Sequence, residues 1–454
     1  MIRDLLYKEI PRALRREYHL MVIEELEKEC HGDFGARVGE VARHFRKAGE
    51  HARAVPLLYR AALRAFKLAA YHEATSYIVD YLDSVENSGQ AELESISNLN
   101  LYLKLGRCYE ETGRWAESLD AYKLMLDLSD KQQDIDGQID ALERMGRLQL
   151  KTGDSDTALT TYQRCLKLVE KNNIPKVASR LYNSLGIIYR TGGQFEQALQ
   201  CFGKTITLTE DDHDEYTRAH ALLNVGIIAY VRNDFDLALD SYEKALKTYV
   251  FNGDEKNQAR VYHNIALTYA DKKQWEKSID VFKRCLHLVE KLEDKQLRGL
   301  VYLNMGKTYA QHDQLTEAKA CADKALKMFK LMGDTLNVAE AYHVFGLIHG
   351  ARGSFSEAEI FFKESINLNQ QQAYTEGLAE TYESFAHLCQ KEGYLERALE
   401  NYEKARGAFE QLRIDSKVEA LEKQIISLSR DAGKNGGKVV VVREEAKQSL
   451  QRKA

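Results

Sequence analysis

Three asparagines, Asn224, Asn264 and Asn304, stand forty residues apart, and each offers an amide donor and an amide acceptor at the same place in a repeating pattern. Four residues before that column run Asn100, Asp140, Arg180, His220, Arg260, Leu300, Glu340 and Glu380, and three residues after it run Arg107, Arg147, Ile187, Ile227, Leu267, Lys307, Leu347 and His387. Arg107, Arg144, Arg147, Arg180, Arg190 and Arg260 put basic charge on this side over the first five periods. It turns acidic at Glu340, Glu380 and Glu383. Charge that changes sign along a surface orients a charged ligand and raises its association rate. The competing reading is a set of solvated helix faces neutralised by neighbouring carboxylates. The chemistry on offer is recognition by hydrogen bonds and charge.

Bond-making chemistry finds less support. The thirteen histidines include no His-Glu-x-x-His, and no Cys/His cluster stands at zinc spacing. His343 and His349 lie six apart on one helical segment and face different ways, which argues against a shared metal. Glu210, Asp211, Asp212, Asp214 and Glu215 crowd one connection without the central glycine of a calcium loop, and Asp134-Ile135-Asp136-Gly137 lacks the same pattern. Gly433 to Lys438 has the wrong glycine spacing for a phosphate loop, and Val439 follows where Ser or Thr is needed. No nucleophile–base pairing can be argued from spacing. The sequence therefore implies no catalytic residue, no metal site and no cofactor.

The elements that position these side chains follow from the period. Gly106, Gly146, Gly186, Gly226, Ala266, Gly306, Gly346 and Ala386 form one column, with a small residue twelve positions on (Ser118 through Ala398) and a large one at sixteen (Tyr122, Tyr162, Phe202, Tyr242, Phe282, Ala322, Phe362, Tyr402). A fixed period of this length means stacked supersecondary units. Tyr262, Ile265, Ala266 and Tyr269 make an apolar stripe on a first helix, and Ser278, Phe282 and Cys285 make one on a second. Gly113, Gly153, Gly193, Asn233, Lys273, Asp313, Gly353 and Gly393 mark the left-handed end of each first helix, with weaker turns expected at Lys273 and Asp313. Gly203, mid-helix beside Thr205, Thr207 and Thr209, and Ala322, which lacks the aromatic ring, are expected soft spots.

Composition agrees with a helical array. Only three prolines interrupt 454 residues. The net charge of -5 and pI near 6.3 argue against a generic nucleic-acid binder. No apolar run reaches membrane-spanning length, and Met1 to Lys8 lacks a secretory signal's apolar region. Seven scattered cysteines, with Cys165 and Cys285 in a small-residue column, suit buried packing in a reducing cytoplasm.

The order large, Leu-Gly, Tyr, small, aromatic, carried by Tyr182, Leu185, Gly186, Tyr189, Ala198 and Phe202, resembles the tetratricopeptide repeat (TPR), with a period of forty in place of 34. The resemblance implies an all-α, right-handed superhelical solenoid whose first helices line a concave surface. TPR arrays that hold extended peptides use asparagines at the position of Asn224, Asn264 and Asn304; a bond to the neighbouring helix is the alternative use of the same amides. On that basis the partner-binding candidates are Arg107, Arg144, Arg147, Arg180, His220, Asn224, Arg260, His263, Asn264, Asn304 and Lys307, with a preference for an acidic protein or peptide segment.

Ile2-Arg3-Asp4-Leu5-Leu6-Tyr7-Lys8-Glu9-Ile10-Pro11, Arg15 to His19 and His44 to Gly49 resemble the junction that follows the ATPase module in STAND-type signalling ATPases and leads into their helical repeats. No Walker-type loop accompanies it, so the chain is expected to be a fragment or a stand-alone relative. The expected organisation is a helical lead-in over 1–30, irregular TPR-like helices over 31–97, eight repeats over 98–410, a capping helix over 411–430 and a flexible tail over 431–454. The expected function is non-catalytic protein–protein recognition by a cytoplasmic adaptor, with the sensor arm of a STAND-type ATPase or cyclase as the alternative. Neither membrane nor nucleic acid is expected as a partner, and spacing sets no oligomeric state.

Overall fold

The computed structural model describes residues 9–30, 34–88, 95–211, 213–412 and 414–434. Residues 1–8 of the expected lead-in and residues 435–454 of the expected tail lie outside the described residues. Helices account for every regular element among the described residues. A lead-in of Arg12–Cys30, Val38–Lys47, His51–Lys67 and Tyr71–Ser88 precedes eight helix pairs, from Ser95–Glu111 with Trp115–Gln132 to Thr375–Lys391 with Leu395–Gln411. A single helix, Asp415–Lys434, closes the array and continues past residue 430, where the tail was expected to begin. No helix among the described residues is long and apolar enough to cross a membrane. The protein is an all-α helical-repeat solenoid, and its chain divides into two compact units, Met1–Ala221 and Leu222–Ala454.

Turn chemistry sets the hairpins. Every member of the expected turn column has positive φ, from 57° at Lys273 and 60° at Asp313 to 86° at Gly153. Lys273 and Asp313 hold this conformation with a Cβ, which costs about 1–2 kcal/mol against glycine. A second left-handed column, which the mixed residue types hide in the sequence, separates one pair from the next: Gln133, Asn173, His213, Gly253, Glu293, Gly333 and Ala373. An aspartate commonly follows it and caps the next helix. Asp134, Asp214, Asp254 and Asp294 each accept a bond from the backbone N–H three residues on, at 2.9–3.2 Å. The acidic connection around Asp214 thus contains a helix cap.

Packing explains the glycine column. A Cβ at Gly186 would lie 2.5 Å from the Phe202 ring, and one at Gly346 would lie 2.6 Å from Phe362. Where the column is glycine and the second helix carries a ring, that ring packs against the bare backbone of its own first helix, and Phe202, Tyr242 and Phe362 are buried there. Each such ring contributes on the order of 1.5–3 kcal/mol. Where Ala322 lacks a ring, the same pair uses another: Phe329, fully buried, packs on Gly299, whose Cβ would stand 2.8 Å from it. The expected loosening at Ala322 is offset seven residues later. Cys165 and Cys285 are buried, and all seven cysteines are free thiols.

In the lead-in, His19, Ile23 and Leu26 face inward on Arg12–Cys30, while Leu14, Tyr18 and Met21 are exposed. Pro56 is the sixth residue of His51–Lys67, so it forfeits a bond that a first-turn proline would not.

Candidate functional site

Within Leu222–Ala454, three successive first helices, Lys295–Gln311, Thr335–Ala351 and Thr375–Lys391, stack side by side, and the last helix follows them. Together they line a cleft of about 390 Å³ bearing Lys307, His343, Leu347, Glu380, Ser384 and Lys417. The forty-residue register places Glu340 and Glu380 at equivalent positions, and His343 stands one helical turn after Glu340.

The cleft is a network of charge. Lys307 Nζ lies 3.4 Å from a Glu380 carboxylate oxygen, and Lys417 Nζ lies 2.9 Å from Glu383. Burial would push the Lys307 ammonium down, but the carboxylates of Glu380, Glu340 and Asp271 outweigh it and hold the pKa above its ordinary value. Glu380 shows the complement: burial raises it, and Lys307, His343 and Lys417 bring it below the usual carboxylate range. The Tyr230 hydroxyl donates to Asp271 at 2.6 Å. His343 is 1% exposed. Its Nε2 lies 2.9 Å from Ser384 Oγ, and its Nδ1 lies 3.7 Å from Glu340 Oε2 with no hydrogen-bond partner.

The remaining candidates of this unit lie on earlier first helices. The Asn304 amide donates to His263 Nε2 at 3.1 Å, and Asn264 bonds the same ring. Burial lowers the His263 pKa to about 4, so the imidazole is neutral at pH 7. Asn224 is buried, and Arg260 is exposed. Asn304 therefore spends its amide on the preceding first helix, the alternative use of an amide at this position, while Asn264 bonds the histidine beside it on its own helix.

In Met1–Ala221 the basic candidates divide. Arg147 pairs with Glu110 at 3.4 Å and Arg180 with Glu143 at 3.1 Å, each reaching the preceding first helix. Arg144 lies over the Tyr122 ring at 6.0 Å. Arg107 is exposed, with its guanidinium 5.1 Å from the Phe66 ring centre, and Lys104 stands over the same ring. His220 meets Tyr216 edge to face.

Sequence reasoning passed over His343, weighed only against His349, and over Lys417 and Asp271. Glu340, Glu380 and Ser384 stood in the right columns, and the histidine one turn from Glu340 was the missed signal. His349 instead packs on the Phe361 ring.

Several solved structures share this fold. A signal transduction ATPase with numerous domains (STAND) protein with a tetratricopeptide repeat sensor, from Pyrococcus horikoshii, is similar over 86% of this chain at 18% identity with a TM-score of 0.54. The match spans about half of that protein, 55% of its chain. The apo form of RapI is similar over 59% of this chain and 96% of its own, at 14% identity and a TM-score of 0.54. The Rap conjugation gene regulator of plasmid pLS20, solved in complex with the Phr* peptide, is similar over 80% of this chain and 97% of its own, at 16% identity and a TM-score of 0.50. No curated protein matches the sequence. The tetratricopeptide repeat profile matches residues 97–171 and, in overlapping copies, 177–371. With more than half its length matched in phase with its helix pairs, the chain belongs to the tetratricopeptide repeat family.

Proposed function

We propose that the protein is a non-catalytic, cytoplasmic interaction scaffold that holds a peptide or helical segment of a partner protein against its first helices. The observation that carries this reading is the cleft of about 390 Å³ lined by Lys307, Glu380, Ser384 and Lys417. Its size suits a few side chains, and its charged groups can fix their orientation. The family and the peptide-bound Rap regulator support the reading by analogy of fold.

Charge decides what enters the cleft. Lys307 and Lys417 are matched by Glu380 and Glu383, and Glu340 and Asp271 add negative charge nearby. The cleft therefore favours a segment carrying a basic side chain. The acidic preference drawn from the arginine columns stays with Met1–Ala221, where Arg107 and Lys104 stand close together. Selection of short peptides from a displayed library by the full chain tests this. Peptides with a basic residue should bind the protein and bind Glu383→Lys at least tenfold more weakly, while Arg180→Glu leaves their affinity unchanged. Equal binding to the protein and to Glu383→Lys sinks the assignment to the cleft.

A second reading is that the chain serves as the sensor arm of a STAND-type ATPase, and the likeness in fold over 86% of this chain favours it. Co-purification of a nucleotide-binding module from native cells, as part of one polypeptide or as a tight partner, is the expected result on that reading. A native polypeptide of this length alone speaks against it.

A further inference from the structure

We propose that Glu340, His343 and Glu380 form a binding site for a divalent transition metal of the zinc class. One nitrogen of His343 and one carboxylate oxygen from each glutamate lie within 4.8 Å of one another. A tetrahedral ion with bonds of about 2.0–2.2 Å sets its ligands about 3.4 Å apart. Rotation of the two glutamate side chains, both only partly buried, closes that difference without backbone movement.

The histidine separates this cluster from an ordinary acidic patch. Its side chain is 1% exposed, and its Nδ1 has no hydrogen-bond partner while facing Glu340 Oε2 at 3.7 Å. The ring is held from two sides, by Phe362 with centroids 5.9 Å apart and by Ser384 Oγ, 2.9 Å from Nε2. When Nε2–H donates to that hydroxyl, the lone pair of Nδ1 faces the Glu340 carboxylate, with a Glu380 oxygen in the same cluster. A lone pair facing a carboxylate is repulsive unless a cation lies between them, and a hydroxyl that accepts from the other ring nitrogen is what fixes the tautomer and orientation of a metal-bound imidazole. An imidazole with two carboxylates suits zinc, cobalt or manganese better than magnesium or calcium, which prefer oxygen alone. The two carboxylates balance the charge of the ion. Lys307, whose ammonium lies 3.4 Å from Glu380, competes with it. A fourth ligand would come from the cleft, where a water or a partner's side chain has access.

The site does not rest on the peptide reading. A partner's basic group near Glu340 would compete with the ion, so the titration is run without peptide. Cobalt(II) is added to the purified full-length chain, freed of metal by a chelator, and the visible absorption is followed, with competition by zinc. One cobalt ion with a visible ligand-field band, displaced by zinc, is expected. Glu340→Gln, at a partly exposed position that should fold normally, should weaken binding at least tenfold. Ser384→Ala should weaken it about 10–100-fold through the histidine. Lys307→Met should tighten it by removing the competing cation, an effect that a purely structural cluster would not show. Absence of the band, or equal affinity in the wild type and Glu340→Gln, overturns the proposal.

Discussion

Nε2 of His343 lies 2.9 Å from Oγ of Ser384, forty-one residues along the chain. Two repeats earlier the same two positions hold His263 and Asn304, 3.1 Å apart. The repeat between them places Leu303 and Val344 there, both buried. The contact is thus polar at His263–Asn304 and at His343–Ser384, with apolar residues at the equivalent positions between them. The polar version leaves one imidazole neutral between two amides and the other beside two carboxylates.

The neutral imidazole makes stability depend on pH. His263 has a folded pKa of about 4 against an ordinary 6.5, so the unfolded chain binds the extra proton first. Its contribution is present above pH 6.5 and is lost as pH falls toward 4, by up to about 3 kcal/mol. The double variant His263→Leu with Asn304→Val imports the pair used one repeat later. Urea unfolding of that variant should show a flatter loss of stability between pH 6.5 and 4 than the wild type. Identical slopes would mean that His263 titrates normally.

The glycine column should respond unevenly to a methyl group. Gly186→Ala drives a Cβ to 2.5 Å from the Phe202 ring and should cost about 1–3 kcal/mol. Gly306→Ala faces Ala322, with its nearest neighbours at 3.3 Å and beyond, and should cost at least about 1 kcal/mol less. Thermal unfolding of the two variants side by side checks the order, and equal losses would remove the ring as the cause.

Gly203 gives the opposite sign. It lies inside the continuous helix Phe195–Asp211, and a Cβ there meets nothing within 4 Å. Gly203→Ala should stabilise the protein by about 0.5–1 kcal/mol through helix propensity and a less flexible unfolded chain. An unchanged or lowered melting temperature would show that the glycine serves a bend which the helix needs.

The pair Lys307–Glu380 is half exposed, so its coupling should be modest. A double-mutant cycle with Lys307→Met and Glu380→Gln, run at moderate salt without added metal, should return about 0.2–1 kcal/mol. The Glu380 share is present above the ordinary carboxylate pKa and fades as pH falls through its depressed folded value. A coupling that keeps its size at high salt would mark the pair as more deeply desolvated than its exposure implies.

Sequence alone determined the hairpin and its repetition. The spacing of Gly186, Ala198 and Phe202 encodes how one first helix meets its own second helix, because those contacts span fewer than twenty residues and repeat without insertion. The left-handed turns at Gly153 and Gly193 are equally local, since backbone sterics single out glycine there. Contacts between repeats were a different matter. Lys307 reaches Glu380 across 73 residues, skipping the repeat that carries Leu347, and His343 meets Ser384 across forty-one. Neither offset can be read from periodicity, which places residues in equivalent positions without saying how far one helix is shifted or rotated against the next. That shift is the sum of side-chain volumes at each interface. Only the packed structure decided it, and with it which charged side chains face one another in the cleft.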